Sequence, residues 1–302
     1  MTYMYFSAKW LVGPAMVLGV MGLAVPPLFC NATLHVPSRD SGIPEAVFNA
    51  TRGAAWSDAE LRARDGVRLE GSFVRAQSGS EACVMVLHGI GDSRRGTAGF
   101  APMLVGAGYS VLLPDSRGHG KSGGDLVTYG LVEKFDVLDW AGWMQTHGCR
   151  RIYGLGESLG GAVLIQAAGI APVFRAVVAE CSFASLEEIG LYRVRQMVPL
   201  PDAVAEPAAK AILWSSFRYA RWSYGLDFTE ASPVASIARA KTPILLIHGL
   251  ADTRTPPVHS KELARANANA VLWLVPRADH TAASSTEPEE FRGRVKGWFE
   301  NH

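Results

Sequence analysis

The sequence lacks the features that mark nucleic-acid-binding proteins, zinc-binding proteins and repeat proteins. Its 29 basic and 28 acidic side chains leave a net charge of +1 over 302 residues, so we expect no nucleic-acid partner. The four cysteines form no C-x-x-C pair and no His/Cys cluster with zinc spacing, and their pattern neither requires nor excludes disulfide bonds. There is no internal repeat or low-complexity tract. The remaining composition, 48% hydrophobic, fits one large domain with an appendage.

Charged residues are also absent from Leu11 to Phe29, an uncharged run of about 19 residues that is long enough to span a bilayer as a helix. This run predicts a single-pass membrane anchor within residues 1–30. Because Lys9 is the only charge before the run, we expect the rest of the chain on the non-cytoplasmic side. The alternative is a signal peptide that is cut after Ala32, which would release a secreted protein.

The chain after this run divides into two parts. Residues 31–60 contain two prolines and two glycines and have no clear hydrophobic period, which predicts a linker. Over residues 61–302, apolar runs such as Ala82–Leu87 and Pro243–His248 alternate with helical patterns. Continuous apolar strands separated by helices are typical of an α/β domain with a mainly parallel sheet that is covered by helices on both faces.

One interval, about residues 185–232, breaks this alternation. It holds Pro199, Pro201 and Pro207 together with many large apolar side chains. An insert between strands at the carboxyl end of a parallel sheet lies over the binding site, so we predict a small helical cap. The alternative is a packing insert whose aromatic side chains bury one another.

The five residues Gly156-Glu157-Ser158-Leu159-Gly160 join an apolar strand pattern to an apolar helical pattern. A serine at such a sharp turn has its hydroxyl pushed clear of the sheet. Glycine is needed two residues before and two after, because a Cβ there would collide with the neighbouring elements. The segment therefore predicts a nucleophile elbow, with Ser158 as nucleophile and with Gly156 and Gly160 as supporting residues.

The same region also matches a dinucleotide-binding fingerprint. Gly154-x-Gly156-x-x-x-Gly160 follows a strand pattern, and Glu180 ends the next apolar run, where a ribose-binding acid would lie. That interpretation places the fingerprint after several strands have already been used, and it leaves the acid and the histidine described next without a role. We therefore favour the elbow.

An acid and a histidine follow the serine in the order that the elbow fold uses. Asp252 comes just after the strand pattern Pro243–His248, and His280 comes just after Val271–Val275. Both positions are carboxyl ends of predicted strands. The arrangement predicts Ser158 as nucleophile, His280 as general acid–base and Asp252 as the residue that orients the imidazole.

Acyl transfer also needs two backbone N–H donors for the oxyanion. One is the amide of Leu159, directly after the nucleophile. The second is expected in the segment Leu87-His88-Gly89-Ile90, where Ile90 is the predicted donor. His88 precedes the serine in the chain, an order that a catalytic histidine of this fold does not use, so we expect His88 and Gly89 to support the loop.

Together these segments resemble the α/β-hydrolase superfamily over about residues 61–302. The resemblance is carried by Leu87-His-Gly-Ile90, Asp115-Ser-Arg-Gly-His-Gly-Lys-Ser122, Gly156-Glu-Ser-Leu-Gly160, Ile247-His-Gly-Leu-Ala-Asp252 and Ala278-Asp-His280. The chain looks most similar to membrane-anchored hydrolases that are grouped with serine aminopeptidases and dienelactone-hydrolase-like proteins. The resemblance implies the α/β-hydrolase fold with a small cap. A serine at the elbow argues against dehalogenase and epoxide hydrolase chemistry, which uses an aspartate at that position.

The expected activity is hydrolysis of a small-molecule carboxylic ester or thioester through an acyl-enzyme on Ser158, a chemistry that needs no metal or organic cofactor. Two alternatives stay open. One is a serine peptidase of the aminopeptidase type that uses the same three residues. The other is a non-catalytic binding protein on the same fold, and the presence of every part of the catalytic apparatus speaks against it.

Overall fold

The computed structural model describes residues 25–197 and 200–302. Its strands are β1 (Ala55–Arg62), β2 (Arg68–Arg75), β3 (Ala82–Leu87), β4 (Ser110–Pro114), β5 (Arg151–Glu157), β6 (Val177–Glu180), β7 (Ile244–Gly249) and β8 (Ala270–Val275). Within the described residues they form one eight-stranded sheet in the order β1-β2-β4-β3-β5-β6-β7-β8. Only the pairs β1–β2 and β2–β4 of this sheet are antiparallel. The predicted mainly parallel sheet is confirmed.

Helices connect most of these strands. They are α1, whose described residues are 25–34, α2 (Glu45–Ala50), α3 (Arg94–Thr97), α4 (Ala101–Gly106), α5 (Glu133–Thr146), α6 (Leu159–Ala168), α7 (Leu186–Met197), α8 (Asp202–Tyr224), α9 (Pro233–Ile237), α10 (Val258–Ala266), α11 (Ala283–Thr286) and α12 (Pro288–Glu300). Residues 185–232, the predicted cap interval, thus contain the two long helices α7 and α8.

The sheet is buried on both faces. Alternate side chains of β3 enter two separate hydrophobic clusters, one with Cys83, Met85 and Leu87 and the other with Ala82, Val84 and Val86. The first cluster also contains side chains of α5, α6, α9 and α10, and the second contains side chains of α4 and α12. This arrangement confirms the predicted helices on both faces. It also explains why the sequences of the central strands are continuous apolar runs.

The parallel strands bring distant segments of the chain to one edge of the sheet. The carboxyl ends of β3, β5, β7 and β8 all lie at that edge, and the residues that follow each strand must meet there. Those residues include the predicted oxyanion loop, the predicted nucleophile, the predicted acid and the predicted histidine.

The prediction of a linker over residues 31–60 is wrong. β1 pairs with β2 along its whole length, so the sheet begins at Ala55, before the predicted domain start at residue 61. Farther upstream, the Leu34 side chain of α1 is fully buried in the core. An edge strand that fully buries only Ala59 has too weak a hydrophobic period to be recognised among prolines and glycines.

The predicted membrane span, residues 11–29, lies mostly outside the described residues, which begin at residue 25. Among the residues that the structure describes, no helix combines the length and the apolar character that a bilayer crossing requires. The described part of α1 packs against the domain, where Cys30 is buried and the Leu34 carbonyl accepts a hydrogen bond from the Val127 amide at 2.8 Å. The domain boundary predicted at residue 30 therefore falls inside an element of the domain.

A disulfide bond joins Cys83 and Cys149. Cys83 lies in β3, and Cys149 precedes the neighbouring strand β5, so strand pairing brings together two cysteines that are 66 residues apart in the sequence. Cys30 and Cys181 are free and buried. The cysteine spacing alone did not predict this disulfide bond, because it does not reveal which strands are neighbours.

Loss of this disulfide should destabilise the protein. Closing a loop of this length restricts the unfolded chain and stabilises a fold by about 4 kcal/mol in the chain-entropy account. We expect Cys149→Ala to lower the free energy of unfolding by roughly 2–4 kcal/mol in a denaturant titration. A thiol reductant should destabilise the wild type by a similar amount and leave the variant unchanged. An equal response of both proteins to the reductant would contradict the bond.

Candidate active site

Ser158 lies at a strained turn between β5 and α6. β5 ends at Glu157 and α6 begins at Leu159. The Ser158 backbone has φ 52° and ψ −115°, a conformation that a non-glycine residue keeps only when the surrounding structure holds it there. Its N–H donates to the Glu180 carbonyl oxygen at 2.7 Å. The neighbouring strand β6 therefore helps to hold the turn.

The two glycines of the segment are required by close approach. A Cβ added to Gly156 would lie 2.6 Å from the carbonyl carbon of Gly160. A Cβ added to Gly160 would lie 2.3 Å from the carbonyl oxygen of Leu87 in β3. Both distances are far inside van der Waals contact, so α6 can begin against β3 only with glycine at these positions.

The structure brings Ser158, His280 and Asp252 into one hydrogen-bonded chain. His280 Nε2 lies 3.0 Å from Ser158 Oγ, and His280 Nδ1 lies 2.7 Å from Asp252 Oδ2. Because the carboxylate only accepts, Nδ1 carries the hydrogen, which leaves Nε2 free to accept the serine proton. These distances are within the reach that proton transfer from serine to histidine requires.

Asp252 is held as a buried carboxylate. Its Oδ1 accepts from the amides of Arg254 and Thr255, each at 2.8 Å, and its Oδ2 also lies 3.3 Å from His248 Nε2. Burial favours the neutral acid, but hydrogen bonds from His248, His280 and the Thr255 amide outweigh it and hold the pKa of Asp252 well below its usual value. The charged carboxylate can therefore stabilise a protonated His280.

The loop after β3 lies directly against the nucleophile. A Cβ added to Gly89 would lie 3.4 Å from the Ser158 Cβ, and Ile90, Ser158 and Leu159 line one cavity. Leu159 is the first residue of α6, where the N–H groups have no acceptor within the helix. The two residues predicted to supply the oxyanion donors thus line the same cavity as Ser158.

Two buried histidines form hydrogen bonds with the backbone of this loop. His88 Nδ1 lies 2.7 Å from the Gly89 carbonyl oxygen, and His88 Nε2 accepts from the Ser116 amide at 3.0 Å. His119 Nε2 accepts from the Gly91 amide at 3.1 Å. Burial, together with the neighbouring His119, lowers the pKa of His88 to about 4, so its ring is neutral at pH 7. Both ring nitrogens of His88 are engaged by the backbone, which fits the predicted supporting role.

Glu180, the acid of the dinucleotide-binding interpretation, is not available to a ribose. Its side chain is 2% exposed, and its Oε1 accepts from the Ala283 amide at 2.9 Å. Burial raises the pKa of Glu180 to about 7, against the opposing effects of that hydrogen bond and of nearby His248. The residue packs behind the serine turn, so the structure gives that interpretation no acid.

His248 is a residue of this site that the sequence analysis did not single out. The ring is completely buried, with Nδ1 2.6 Å from Ser260 Oγ and Nε2 2.7 Å from the Thr255 carbonyl oxygen. Because a carbonyl oxygen only accepts, Nε2 carries a hydrogen, and the same nitrogen faces Asp252. The signal in the sequence was a histidine four residues before the acid, at the end of a buried strand.

Three buried side chains near Ser158 are close enough to one another to share a metal ion. One ligand atom each from Cys181, His248 and Asp252 lies within 4.8 Å of the others. However, Cys181 Sγ accepts from the Thr281 amide at 3.3 Å, and the ligand atoms of His248 and Asp252 are engaged as described above. Protein hydrogen bonds already use this donor set, which does not fit a metal centre.

A cavity of about 280 Å³ opens at Ser158 and His280. Its size is near the lower end of the range of about 300–1,000 Å³ for small-molecule sites. Side chains from α1, α7 and α8 form much of its wall, and burial raises the pKa of the Cys30 thiol in that wall to about 11. Most of the lining is apolar, including Phe29, Ile90, Phe183, Leu186, Ile189, Leu213, Phe217 and Phe228.

Comparison with known proteins relates the chain to hydrolases. Residues 84–294 match the alpha/beta hydrolase family. The uncharacterized protein YqkD of Bacillus subtilis is 26% identical over 223 residues, which are 72% of this chain and 71% of that protein. The uncharacterized protein Rv2307c of Mycobacterium tuberculosis is 30% identical over 263 residues, 86% of this chain and 79% of that protein. The Pyrococcus furiosus esterase Pf2001 superposes with a TM-score of 0.69 at 25% identity, covering 88% of this chain and 98% of the esterase.

We expect His248→Leu to lower kcat/KM for the expected ester substrates about ten- to a hundredfold, because a hydrogen bond to a charged group contributes about 1.5–3 kcal/mol. Without this donor the negative charge of Asp252 is less compensated, so the Asp252–His280 pair holds a proton more tightly and the acidic limb of the pH–rate profile should move to higher pH. His248→Gln, whose side-chain N–H can replace the Nε2 donor, is the matched control and should retain most activity. If the leucine variant has a lower melting temperature but an unchanged kcat/KM and pH profile, His248 does not position Asp252.

Proposed function

The chain belongs to the alpha/beta hydrolase family, and we propose that it is a serine hydrolase that cleaves carboxylic esters or thioesters through an acyl-enzyme. The observation that carries this proposal is the hydrogen-bonded chain from Ser158 through His280 to Asp252 at the end of an apolar cavity. A serine hydroxyl becomes a useful nucleophile only beside such a base, and the base needs a group that fixes its tautomer.

In the proposed mechanism, Ser158 Oγ attacks the acyl carbon while its proton passes to His280 Nε2. The negative charge that develops on the acyl oxygen is stabilised by hydrogen bonds from the amides of Ile90 and Leu159. His280 then protonates the leaving alcohol or thiol. A water molecule, deprotonated by His280, hydrolyses the acyl-enzyme and restores Ser158. The charged Asp252 stabilises the imidazolium in both steps.

The cavity supports an ester or thioester in preference to a peptide. A peptide brings backbone N–H and C=O groups that must find partners when they leave water, and the lining is largely hydrophobic. An aliphatic or aromatic acyl chain needs no such partners. The likeness to an archaeal esterase points the same way. We therefore retain ester or thioester hydrolysis over the peptidase and binding-protein alternatives.

We also propose that α7 and α8 act as a specificity cap. Both helices contribute side chains to the cavity, among them Ile189 and Leu213. A Cβ added to Gly190 in α7 would lie 2.9 Å from Leu213 Cδ1, so the two helices pack closely. Because the side chains of Ile189 and Leu213 both line the cavity and neither belongs to the proposed catalytic residues, exchanges in this pair should alter the accepted acyl group more than the chemistry.

The localisation proposal rests on the uncharged run at residues 11–29 and on the disulfide. A run of this length favours a membrane anchor, because a helix satisfies its own backbone hydrogen bonds in lipid. A structural disulfide between Cys83 and Cys149 is typical of an oxidising compartment. Both observations support a membrane-anchored protein whose domain faces the non-cytoplasmic side, with secretion after signal cleavage as the alternative.

Replacing the proposed nucleophile should abolish turnover without unfolding the protein. We expect Ser158→Ala to lower ester hydrolysis at least about a thousandfold, to prevent labelling by a fluorophosphonate probe, and to leave the melting temperature nearly unchanged. Ser78→Ala is the matched control, because Ser78 precedes β3 at the opposite edge of the sheet. Peptide amides tested beside the esters distinguish the peptidase. Retention of more than a few per cent of wild-type activity in Ser158→Ala would refute the proposed nucleophile.

The membrane proposal predicts how two truncations behave. The full-length chain should sediment with membranes and resist a carbonate wash. A variant that lacks residues 1–24 should be soluble and active, because α1 is retained. A variant that lacks residues 1–53 should lose stability and activity, because Leu34 leaves the core and Phe29 leaves the cavity wall. Recovery of the full-length chain in the soluble fraction would rule out the anchor, and a mature chain that begins near Thr33 would instead indicate signal cleavage.

A further inference from the structure

The exposed rim of the cavity carries two positive charges, and no acidic side chain of the described residues lines the cavity. Among the described residues that line the cavity, Arg193 and Arg254 are exposed to solvent, whereas no aspartate or glutamate is part of the lining. The remainder of the wall is mostly apolar. The cavity thus combines a hydrophobic interior with a cationic rim, although the chain as a whole has a net charge of only +1.

Neither arginine is used to stabilise the fold by an ion pair. Within residues 25–197 and 200–302, no carboxylate lies within 4.0 Å of either guanidinium. Arg193 donates one hydrogen bond to the neutral Gln196 side chain at 3.2 Å. Most of the donors on the two planar groups therefore remain available to a ligand.

The two arginines come from different elements that are tied to each other. Arg193 belongs to α7, and Arg254 lies in the loop after β7, two residues beyond Asp252. The Tyr192 hydroxyl donates to the Thr253 carbonyl oxygen at 2.9 Å, which joins the two elements at the residues directly before each arginine. The fold thus holds two like charges at one rim. Like charges repel, and an anion between them would offset the repulsion.

We propose that this rim binds an anionic group, a carboxylate or a phosphate, on the leaving-group side of an acyl ester whose acyl chain occupies the apolar cavity. The proposal rests on the proposed function and names the substrate class for that same site. Guanidinium groups match the planar and tetrahedral oxygen arrangements of carboxylate and phosphate with paired hydrogen bonds. A cavity with low-dielectric walls also strengthens the attraction of the rim for an anion.

The test uses three butyrate esters that differ at one position of the leaving group. They are the butyrates of methyl 4-hydroxybenzoate, which is neutral, of 4-hydroxybenzoate, which carries a carboxylate, and of 4-hydroxyphenyl phosphate, which carries a phosphate. Because the three leaving groups differ in intrinsic reactivity, the measured quantity is a ratio. For each enzyme variant, kcat/KM of a charged ester is divided by kcat/KM of the neutral ester, and this value is compared with that of the wild type.

We expect Arg193→Gln and Arg254→Gln each to lower this ratio roughly two- to fivefold, the effect of losing one exposed ion pair. The double variant should lower it about tenfold. Arg254→Lys, which keeps the charge, should retain part of the preference. Arg218→Gln is the matched control, because Arg218 is an exposed arginine of α8 that stacks over Trp214 outside the cavity lining. In the wild type, 0.5 M salt should reduce the preference, since exposed charges are screened.

The neutral ester separates failure of this proposal from failure of the proposed function. If the wild type hydrolyses the neutral ester and the double glutamine variant has an unchanged ratio for both charged esters, the anion site is refuted and the serine hydrolase stands. If only the carboxylate or only the phosphate ester responds, the proposal holds and the source of the anion is identified. If the wild type hydrolyses none of the three esters, both proposals fall.

Discussion

The whole site depends on the close approach of the first turn of α6 to the end of β3. This approach is possible only because Gly156 and Gly160 lack side chains, since a Cβ on Gly160 would lie 2.3 Å from a carbonyl oxygen of β3. At the same turn Ser158 has its strained backbone conformation, and Leu159 lines one cavity with Ile90 of the loop after β3. The proposed nucleophile and the proposed oxyanion donors therefore depend on one packing contact, and a side chain at Gly160 would displace them together.

In the proposed mechanism, the charge of Asp252 sets the direction of the proton transfer from Ser158 to His280. Asp252 stays charged although it is buried, because backbone amides and two imidazole rings donate to its oxygens. One ring belongs to His280, which faces Ser158, and the other belongs to His248, which is fixed by its own partners in the interior. Because its pKa lies well below the usual value, Asp252 remains a carboxylate and orients the His280 ring in the proposed mechanism. The buried polar groups around Asp252 thus support the proposed proton transfer.

The sequence predicted the parts of this protein that depend on local order along the chain. Ser158, Asp252 and His280 could be chosen because each follows an apolar run that was predicted as a strand of the sheet, and the structure brings the three together. Features that arise from contacts between distant segments were not predicted. The weak period of β1 hid an edge strand, the spacing of Cys83 and Cys149 did not reveal that they meet between neighbouring strands, and α1 joins the core through contacts that its composition alone does not specify.

The most direct test of the central claim is detection of the acyl-enzyme. Acid quenching within milliseconds of mixing with a reactive butyrate ester, followed by digestion and mass spectrometry, should show a peptide that contains Ser158 and carries one butyryl group. Once the ester is exhausted, the fraction of butyrylated Ser158 should fall at the rate of turnover. A butyryl group on another residue, or turnover without any acylated Ser158, would contradict the account.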